Sequence, residues 1–475
     1  MEVENIKKVV TRFAPSPTGF MHVGGVRTAL YAYLWAKKNK GSFILRIEDT
    51  DKEREVEGSI DHIIKSLKWL NINWDEGPDI GGINAPYLQS ERLDLYKKYA
   101  NILIEKGFAY PDPFTEEEVD KFRAEADLEK KPFLYREHRP KTFGIWDGTK
   151  PLRFKTPEIK SYKWHDIVYG DLSAGPEALD DFILIKSDGY PTYNFAHIID
   201  DLEMKVTHVM RGQEFIASTP KFLSVYEAFG IIPPLFVTLP PIMGKDGKKK
   251  LGKRDGAKDV LEYRNEGYLP EAMINFLAFL GWNPGDDREI FTMDELINAF
   301  DITRIGHSGA QMNDDKLDWI NKEHIKKLLN EELKNEIFKY LPENLKIEKL
   351  IPLITERISK FSDVKNMVTA GELDFFFKQP EYSKEKLIFK NGSALQTSLN
   401  LKEVLDILEK INEDKFIREN LKDILMKLAT EKGSKGEILH PVRFALSGLD
   451  KSPDPFIIAE ILGKNETISR IQKAI

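Results

Sequence analysis

Residues 9–48 read VVTRFAPSPTGFMHVGGVRTALYAYLWAKKNKGSFILRIE, and this stretch decides the fold. Its first five residues predict a short buried strand, and residues 43–48 form a near-continuous apolar run that is typical of a central parallel strand. Between them, after a turn rich in proline and glycine, apolar residues recur at the spacing of one helix face: Val26, Ala29, Leu30, Tyr33 and Leu34. Strand, helix and strand in succession predict a right-handed βαβ unit that opens a doubly wound, Rossmann-like α/β domain.

The end of this first helix is also marked in the sequence. Lys37, Lys38 and Lys40 stand in its last turn, where cations interact favourably with the helix dipole. Gly41 follows them and is predicted to be the C-cap.

Composition limits the class of protein. The chain has 475 residues, 41% hydrophobic and 31% charged, which predicts a soluble multidomain protein. No apolar run approaches the ~18–20 residues of a membrane span, and the first ten residues lack the apolar core of a secretory signal. Cysteine is absent, which excludes disulfides and thiolate metal sites and is consistent with a reducing cytoplasm.

The domain organisation follows from changes in sequence texture. Helical periodicity gives way to short strand-like runs between about residues 110 and 190, parallel-sheet texture returns near 206–212, and helix signals dominate after 258. We therefore predict two halves of the Rossmann-like α/β domain at 1–107 and 191–240, an α+β insertion at 108–190, a further domain at 241–328 and an all-α region at 329–475.

The turn at residues 14–25, called the histidine turn below, has the features of an anion site. A helix start offers unpaired N–H groups and partial positive charge, and Gly24 and Gly25 leave the backbone bare for a bulky ligand. Pro15 and Pro17 stiffen the approach, and His22 is suited to hydrogen-bond a phosphate. The alternative is that His22 is an ordinary surface residue at a helix start. There is no G-x-G-x-x-G dinucleotide motif.

Residues 244–258, GKDGKKKLGKRDGAK, form the lysine loop, in a chain whose formal net charge is −7. It nearly matches the phosphate loop of NTPases, but Arg254 stands where Ser or Thr must hold Mg²⁺. Two alternatives stay open for the loop alone: a solvated charge run, or a basic loop whose lysines contact a polyphosphate. A P-loop ATPase is a third, weaker hypothesis.

Polar side chains also stand at predicted strand ends, where open α/β sheets bind ligands. Arg12, Glu48 and Arg211 close three such strands, and Tyr193 lies in GYPTYNFA. Together they suit a small zwitterion with an extra negative charge, because arginine binds carboxylates bidentately. The alternative is a plain ion pair between Arg12 and Glu48.

Taken together, these motifs resemble the glutamyl-tRNA synthetase family, class I aminoacyl-tRNA synthetases of bacterial type. His22-Val23-Gly24-Gly25 resembles the first class signature, His-Ile-Gly-His, and residues 250–254, KLGKR, resemble the second, Lys-Met-Ser-Lys-Ser. LRIEDTD, YPTYNFA, IIDD, RGQE and LHPVRFALSG fit the same family. The resemblance covers essentially the whole chain.

The resemblance implies a glutamate–tRNA ligase that uses ATP and Mg²⁺, charges tRNA(Glu) and works in the cytoplasm as a monomer. It implies that 108–190 binds the acceptor stem and that 241–328 is a stem-contact domain that carries the lysine loop. It also implies that the helical C-terminal third binds the anticodon, where glutaminyl enzymes have β-barrels. His22 and Lys253 are the implied catalytic residues. The implied ATP-binding residues are Pro15, Thr18, Gly19, His22, Gly24, Gly25, Lys250, Leu251, Gly252, Lys253 and Arg254; the implied glutamate-binding residues are Arg12, Ala14, Ser16, Glu48, Tyr193 and Arg211.

Three departures from the family pattern bear on these expectations. Gly252 replaces a serine of the second signature, which leaves a weakly active relative that mainly binds tRNA as an alternative function. His197 stands where some relatives have an asparagine near the glutamate. Some members carry a zinc-binding cysteine cluster near AYPDPFTEEE, but Asp112 and Phe114 stand here, so no metal site is expected. Charging of tRNA(Gln) as well as tRNA(Glu) stays open.

Overall fold

A computed structural model describes residues 8–252 and 258–475. Lys253 and Arg254 of the lysine loop lie outside the described residues. The chain divides into two compact units, Met1–Asn265 with Leu269–Ile320, and Glu266–Tyr268 with Asn321–Ile475. The finer domain bounds proposed from sequence texture stay predictions.

The first unit combines strands and helices. Its strands are β1 (Val10–Phe13), β2 (Ser42–Leu45), β3 (Ala109–Pro111), β4 (Leu152–Phe154), β5 (Tyr162–Asp166), β6 (Gly170–Ala174), β7 (Ile183–Ile185), β8 (His208–Gly212), β9 (Leu235–Leu239), β10 (Ile242–Met243) and β11 (Ala310–Gln311). Its helices are α1 (Val23–Lys38), α2 (Ser59–Trp69), α3 (Leu93–Glu105), α4 (Glu116–Leu128), α5 (Tyr193–Glu203), α6 (Thr219–Phe229), α7 (Val260–Asn265), α8 (Pro270–Ala278), α9 (Met293–Ala299) and α10 (Asp314–Ile325), whose last residues belong to the second unit.

The predicted βαβ unit is confirmed. Strands β1 and β2 pair in parallel, with Val10 opposite Ser42 and Phe13 opposite Leu45, and α1 connects them. On the other side of β1 lies β8, and β9 pairs in parallel with β8. Among the described residues the main sheet has the order β2-β1-β8-β9-β5-β6. The carboxyl ends of β1, β8 and β9 therefore meet along one edge, as the doubly wound interpretation requires.

Helix α1 ends differently from the sequence prediction. Its C-cap is Asn39, and Lys40 takes the left-handed conformation with φ 52°. The amide N–H of Lys40 donates to the carbonyl of Lys37 at 3.0 Å, and that of Gly41 donates to the carbonyl of Ala36 at 2.8 Å. These two bonds form a Schellman motif in which Gly41 is the second residue after the cap, so the assignment of Gly41 as C-cap is wrong.

The second strand is shorter than its apolar run. It ends at Leu45, and of the remaining residues Ile47 forms an isolated bridge with Leu88. Beyond Leu45, the N–H of Arg46 still donates to the carbonyl of Phe13 and the N–H of Glu48 to that of Pro15, both at 3.0 Å, and both residues are buried. The sequence prediction extended the strand to Glu48, because Arg46 and Glu48 stand among apolar residues and the pattern does not mark where the strand ends.

The region between β3 and β7 has a sheet of its own and also joins the main sheet. Strands β3, β4 and β7 pair antiparallel, while the β5–β6 hairpin extends the main sheet through the pairing of Asp166 with Phe236 of β9. Phe154 and Leu184 of the small sheet share one buried cluster with Phe195 of α5 and Phe222 of α6. This packing fixes the helix that carries Tyr193.

The second unit is helical, as predicted for the C-terminal third. Its helices are α11 (Asn330–Phe338), α12 (Ile351–Arg357), α13 (Ser362–Thr369), α14 (Ala394–Glu409), α15 (Arg418–Glu431), α16 (Lys435–Ser447) and α17 (Pro455–Ala474), which is interrupted at Gly463. Arg470 is buried among them and donates to the carbonyls of Phe375 and Leu446 at 2.6 and 2.7 Å. Within the described residues, none of the helices has the length and apolarity needed to cross a membrane.

Candidate active site

A cavity of about 690 Å³ opens at the carboxyl edge of the main sheet, between the histidine turn and the start of α5. It brings together nearly all of the described residues that the sequence singles out. Those lining it are Arg12, Ala14, Pro15, Ser16, Thr18, Gly19, His22, Gly24, Gly25, Glu48, Tyr193, Arg211, Lys250 and Leu251. Gly252 is described but does not line the cavity.

A buried ion-pair network fixes the charges at the deep end of the cavity. Arg12 donates from Nε to Asp201 at 3.0 Å and from Nη1 to the carbonyl of Met210 at 3.2 Å. Arg46 donates to Asp201 at 2.8 Å and to Glu48 at 3.1 Å. The alternative of an Arg12–Glu48 pair is wrong, because Asp201 is the partner of Arg12 and Arg46 is the partner of Glu48.

Asp200 extends the network to further buried side chains. Its carboxylate accepts from Arg92 at 2.7 Å, from Gln89 at 2.8 Å and from the phenol of Tyr96 at 2.9 Å. Arg46 lies 3.5 Å from it. Buried charges need such a complete set of partners, since a charge without one would be strongly destabilising.

The protonation of the buried carboxylates differs. Burial raises the pKa of Asp201, but the charges of Arg12 and Arg46 outweigh burial and lower this pKa to about 2. For Glu48, burial outweighs the attraction of Arg46 and Arg12 and raises the pKa to about 7. A further cation beside Glu48, such as a substrate ammonium, would therefore stabilise its ionised form.

Arg211 lies at the end of β8 and is 6% exposed. Its Nη2 donates to the hydroxyl of Thr219 at 3.0 Å, and its guanidinium lies over the rings of Phe222 and Phe236, 4.8 and 5.0 Å from the ring centres. Its Nη1 is buried without a hydrogen-bond partner. Burial lowers the pKa of Arg211. A buried cationic donor without a partner, lining a cavity, is suited to a ligand carboxylate.

Tyr193 is the first residue of α5, and its ring stacks on that of His197, with 4.6 Å between ring centres. Burial raises the pKa of Tyr193, so its phenol stays a neutral hydrogen-bonding group. Burial lowers the pKa of His197 to about 3, so this ring is neutral, and its Nδ1 donates to the carbonyl of Tyr193 at 2.6 Å. His197 does not line the cavity, whereas Tyr193 does.

His22 is the N-cap of α1. Its Nδ1 accepts from the backbone N–H of Gly24 at 3.1 Å. A backbone N–H only donates, so Nδ1 is unprotonated and the proton of the neutral ring is on Nε2. An alanine Cβ at Gly24 would come within 2.9 Å of the imidazole, which explains the glycine at this position.

The described part of the lysine loop is attached to the sheet by backbone bonds. The N–H of Leu251 donates to Ile242 at 2.7 Å, and the N–H of Gly244 donates to Lys249 at 2.8 Å. This places Lys250 at the cavity, where it pairs with Glu214 at 3.1 Å. The segment that nearly matches an NTPase loop thus begins with a turn that is hydrogen-bonded to β10.

The region where some relatives carry cysteines contains hydrogen-bonded side chains. Asp112 accepts from Arg153 at 2.5 Å and from the phenol of Tyr135, and Asp181 accepts from both Arg139 donors at 2.7 Å. Within residues 8–252 and 258–475, there is no group of three or more His, Asp or Glu able to hold a metal ion.

Several residues of the site carry no assigned role in the sequence analysis. Arg46 and Asp201 organise the charges, and Arg27 links α1 to the carbonyls of Leu280, at 2.8 Å, and Pro240. For Arg46 and Asp201 the available signal was their position inside the motifs LRIEDTD and IIDD, since consecutive acidic residues in an apolar helix need buried partners. Arg27 lies in neither motif. Sequence alone did not show which arginine each would meet.

Comparisons with known proteins agree with this geometry. Residues 8–319 match the family of tRNA synthetases class I (E and Q), catalytic domain, and residues 321–475 match an anticodon binding domain. The glutamate–tRNA ligase of Clostridium botulinum strain Hall is 45% identical, with 98% of each chain covered, and that of Clostridium kluyveri is 44% identical over the same shares.

Solved structures give the same result. The crystal structure of a glutamate tRNA ligase from Elizabethkingia meningosepticum, in complex with its amino acid, matches with a TM-score of 0.86 and 39% identity, over 98% of this chain and 99% of that one. A glutamate–tRNA synthetase from Elizabethkingia anophelis matches with a TM-score of 0.85 and 38% identity, over 99% and 100% of the chains. The chain belongs to the bacterial glutamate–tRNA ligases, class I aminoacyl-tRNA synthetases.

Proposed function

We propose that the cavity forms glutamyl-adenylate and passes its glutamyl group to the 3′-terminal adenosine of tRNA(Glu). In the first step a glutamate α-carboxylate oxygen attacks the α-phosphorus of ATP, and the bond to pyrophosphate breaks. In the second step a ribose hydroxyl of the tRNA attacks the activated carbonyl, and AMP leaves. The observation that carries this proposal is the buried, unpartnered Nη1 of Arg211 in the same cavity as His22 and the bare start of α1.

Glutamate would be held at the deep end of the cavity. Glu48 would bind the α-ammonium, because burial disfavours its ionised form and a neighbouring cation would stabilise that form. Arg12, Arg211 and Tyr193 would hold the carboxylates, and Ala14 and Ser16 would line the approach. The contacts of Arg12 with Asp201 and Met210 hold its guanidinium in place before substrate arrives, which lowers the entropic cost of binding.

ATP would lie over the histidine turn. The Nε2–H of His22 is the donor suited to a phosphate oxygen, and the start of α1 adds the partial positive charge of a helix N-terminus. Pro15, Thr18, Gly19, Gly24 and Gly25 would form the floor, and Lys250 and Leu251 would approach from the lysine loop. Gly252, Lys253 and Arg254 complete the proposed ATP set, with Lys253 stabilising the departing pyrophosphate.

Mg²⁺ is proposed to arrive with ATP. Mg²⁺ in such sites keeps several waters and is bound by phosphates with one or two carboxylates, so a site without an all-protein cage fits it. The carboxylate that fits is Glu214, which lines the cavity beside Lys250. When bound, the ion would neutralise phosphate charge; the residues of the chain would position the reacting groups.

The remaining features of the proposal follow from the reaction. The substrate tRNA is tRNA(Glu), with tRNA(Gln) as the alternative to be tested, and the helical second unit is the proposed anticodon-binding part. The protein is proposed to act as a monomer. The absence of cysteine is consistent with the cytoplasm, where protein synthesis uses the product.

The proposal is tested by exchange of labelled pyrophosphate into ATP. We expect exchange that requires glutamate and is greatly increased by tRNA(Glu), since this family typically needs tRNA for activation. A tRNA-binding relative with little activity would bind tRNA(Glu) but show no glutamate-dependent exchange at high enzyme concentration. A P-loop ATPase would hydrolyse ATP without tRNA and lose that activity in Lys253→Ala.

A further inference from the structure

His62, near the start of α2, contacts two separate segments of the first unit. Its Nδ1 lies 3.3 Å from the backbone nitrogen of Met21, and its Nε2 lies 2.8 Å from Oδ2 of Asp259. The ring also stacks on Phe20, with 4.6 Å between ring centres and 21° between ring planes. The residue is largely buried, with 11% of its side chain exposed. His62 does not line the cavity.

These contacts determine where the imidazole proton is. The backbone N–H of Met21 only donates, so Nδ1 of His62 accepts and carries no proton. The proton is therefore on Nε2, which donates to the carboxylate of Asp259. In this tautomer one ring receives a hydrogen bond from the histidine turn and gives one to the chain beyond the lysine loop.

The two segments that meet at His62 are also bonded to each other. The N–H of Val260 donates to the carbonyl of Met21 at 3.0 Å, and His22 and Asp259 form an antiparallel bridge. Asp259 accepts from the N–H of Leu261 at 2.9 Å, which caps α7. Met21 directly precedes His22, and Asp259 directly follows residues 244–258, the lysine loop.

We propose that His62 is a positioning residue for adenylate formation, which fixes the chain after the lysine loop against the histidine turn. This inference rests on the proposed ATP-site roles of the histidine turn and the lysine loop. The hydrogen bond to Asp259 holds the carboxylate that caps α7, and the bond from Met21 together with the Phe20 stack holds the backbone beside His22. Neither contact touches glutamate, so the effect falls on the ATP-dependent step.

Two substitutions at His62 separate its bonds to Met21 and Asp259; Nδ1 also lies 3.3 Å from the hydroxyl of Ser66, one turn along α2. In His62→Asn the side-chain oxygen takes the place of Nδ1, so the bond from Met21 is kept and the bond to Asp259 is lost. In His62→Gln the side-chain nitrogen takes the place of Nε2, so the bond to Asp259 is kept. Asp259→Asn removes the same bond from the other side and keeps an acceptor for Leu261. Each variant, and the double variant His62→Asn with Asp259→Asn, is assayed as full-length protein.

The readouts are kcat and KM for ATP in pyrophosphate exchange with tRNA(Glu), the Kd for glutamate, and the thermal unfolding temperature. We expect His62→Asn and Asp259→Asn each to lower kcat/KM for ATP about tenfold, with the Kd for glutamate unchanged. The double variant should lose no more than either single one, because both remove one bond. His62→Gln should stay within about threefold of the wild type, since it keeps that bond.

Other outcomes overturn the inference. Wild-type kinetics in all variants would show that the contact does not position the site. If the losses of kcat/KM for ATP in the two single variants add up in the double variant, His62 has a structural role only. The same holds if His62→Asn and His62→Gln lose activity equally and both lower the unfolding temperature. If the wild type itself shows no glutamate-dependent exchange, the proposed function fails, and this inference fails with it.

Discussion

At the residue scale, the cavity combines an ion-pair network with an arginine that has no carboxylate partner among the described residues. Arg12 and Arg46 both bond Oδ1 of Asp201, while Oδ2 of Asp201, Nε of Arg46 and Nη1 of Arg211 are buried without a hydrogen bond. Of these three residues, Arg211 is the one that lines the cavity. We propose that the side-chain carboxylate of the substrate supplies the partner of Arg211, which accounts for the preference for glutamate. Glu48, whose pKa is raised, would bind the ammonium that all amino acids share.

Arg211→Ala is expected to raise the KM for glutamate at least tenfold, because it removes a charge-assisted bond to a carboxylate. Arg211→Lys is the matched variant: it keeps the charge but loses the planar fork, so a smaller yet clear rise in KM is expected. Steady-state charging of tRNA(Glu) at varied glutamate measures both. An unchanged KM in Arg211→Ala would argue against this assignment.

Glutamate affinity should depend on pH through Glu48. Its pKa of about 7 is above the ordinary value, so Glu48 loses its negative charge as the pH falls through 7. Binding of the substrate ammonium needs that charge, so the Kd for glutamate should rise roughly tenfold between pH 8 and pH 6. Calorimetric titration measures it, and Glu48→Gln should bind weakly with no such dependence. A flat profile in the wild type would contradict the role.

His22→Ala is expected to lower kcat about a hundredfold while changing the Kd for tRNA(Glu) less than threefold. The reason is that its hydrogen bond strengthens as charge develops on the phosphates in the transition state. Single-turnover charging and filter binding give the two quantities. Equal losses in both would show that His22 only supports the fold of the turn.

The sequence predicted which residues would meet in this cavity better than it predicted their partners. Arg12, Glu48, Tyr193 and Arg211 were recognisable because polar residues at parallel strand ends converge at one edge. The partner of Arg12 could not be recognised from the sequence, because Asp201 is almost two hundred residues away in the chain and lies on a helix. Ion-pair choice depends on tertiary distances that no local pattern contains.

At the element scale, the βαβ unit illustrates the same limit. The strand–helix–strand order was predictable from apolar periodicity, because each element buries one face. The role of Gly41 was not predictable, because it depends on a long-range contact: an alanine Cβ there would overlap the carbonyl oxygen of Val9, the residue directly before β1. Lys40 takes the positive φ that the cap prediction assigned to glycine.

Gly41→Ala should destabilise the first unit by about 1–3 kcal/mol, because the added methyl forces β1 and β2 apart where Ser42 bonds Val9 at 2.9 Å. Gly144→Ala is the control, since its Cβ would have no neighbour nearer than 4.0 Å. Thermal or urea unfolding compares the two. A Gly41→Ala protein as stable as the control would show that the strands accommodate a methyl group here.

At the scale of the whole molecule, the chain contains no cysteine. Ion pairs and phenols around Asp112 and Asp181 connect the strands of the insertion. We predict that metal analysis of the purified protein finds no stoichiometric zinc. We also predict that a chelator selective for zinc over magnesium leaves charging activity within twofold. One zinc per chain, or loss of activity to such a chelator, would contradict the prediction.

The chain consists of two units, one that contains the cavity and one that is helical, and it is a glutamate–tRNA ligase. The most direct test is a charging assay with ATP, labelled glutamate or glutamine, and purified tRNA(Glu) or tRNA(Gln). We predict that tRNA(Glu) accepts glutamate to near completion and that glutamine is not attached to either tRNA. No glutamate on tRNA(Glu) at high enzyme concentration, or attachment of glutamine, would contradict the account.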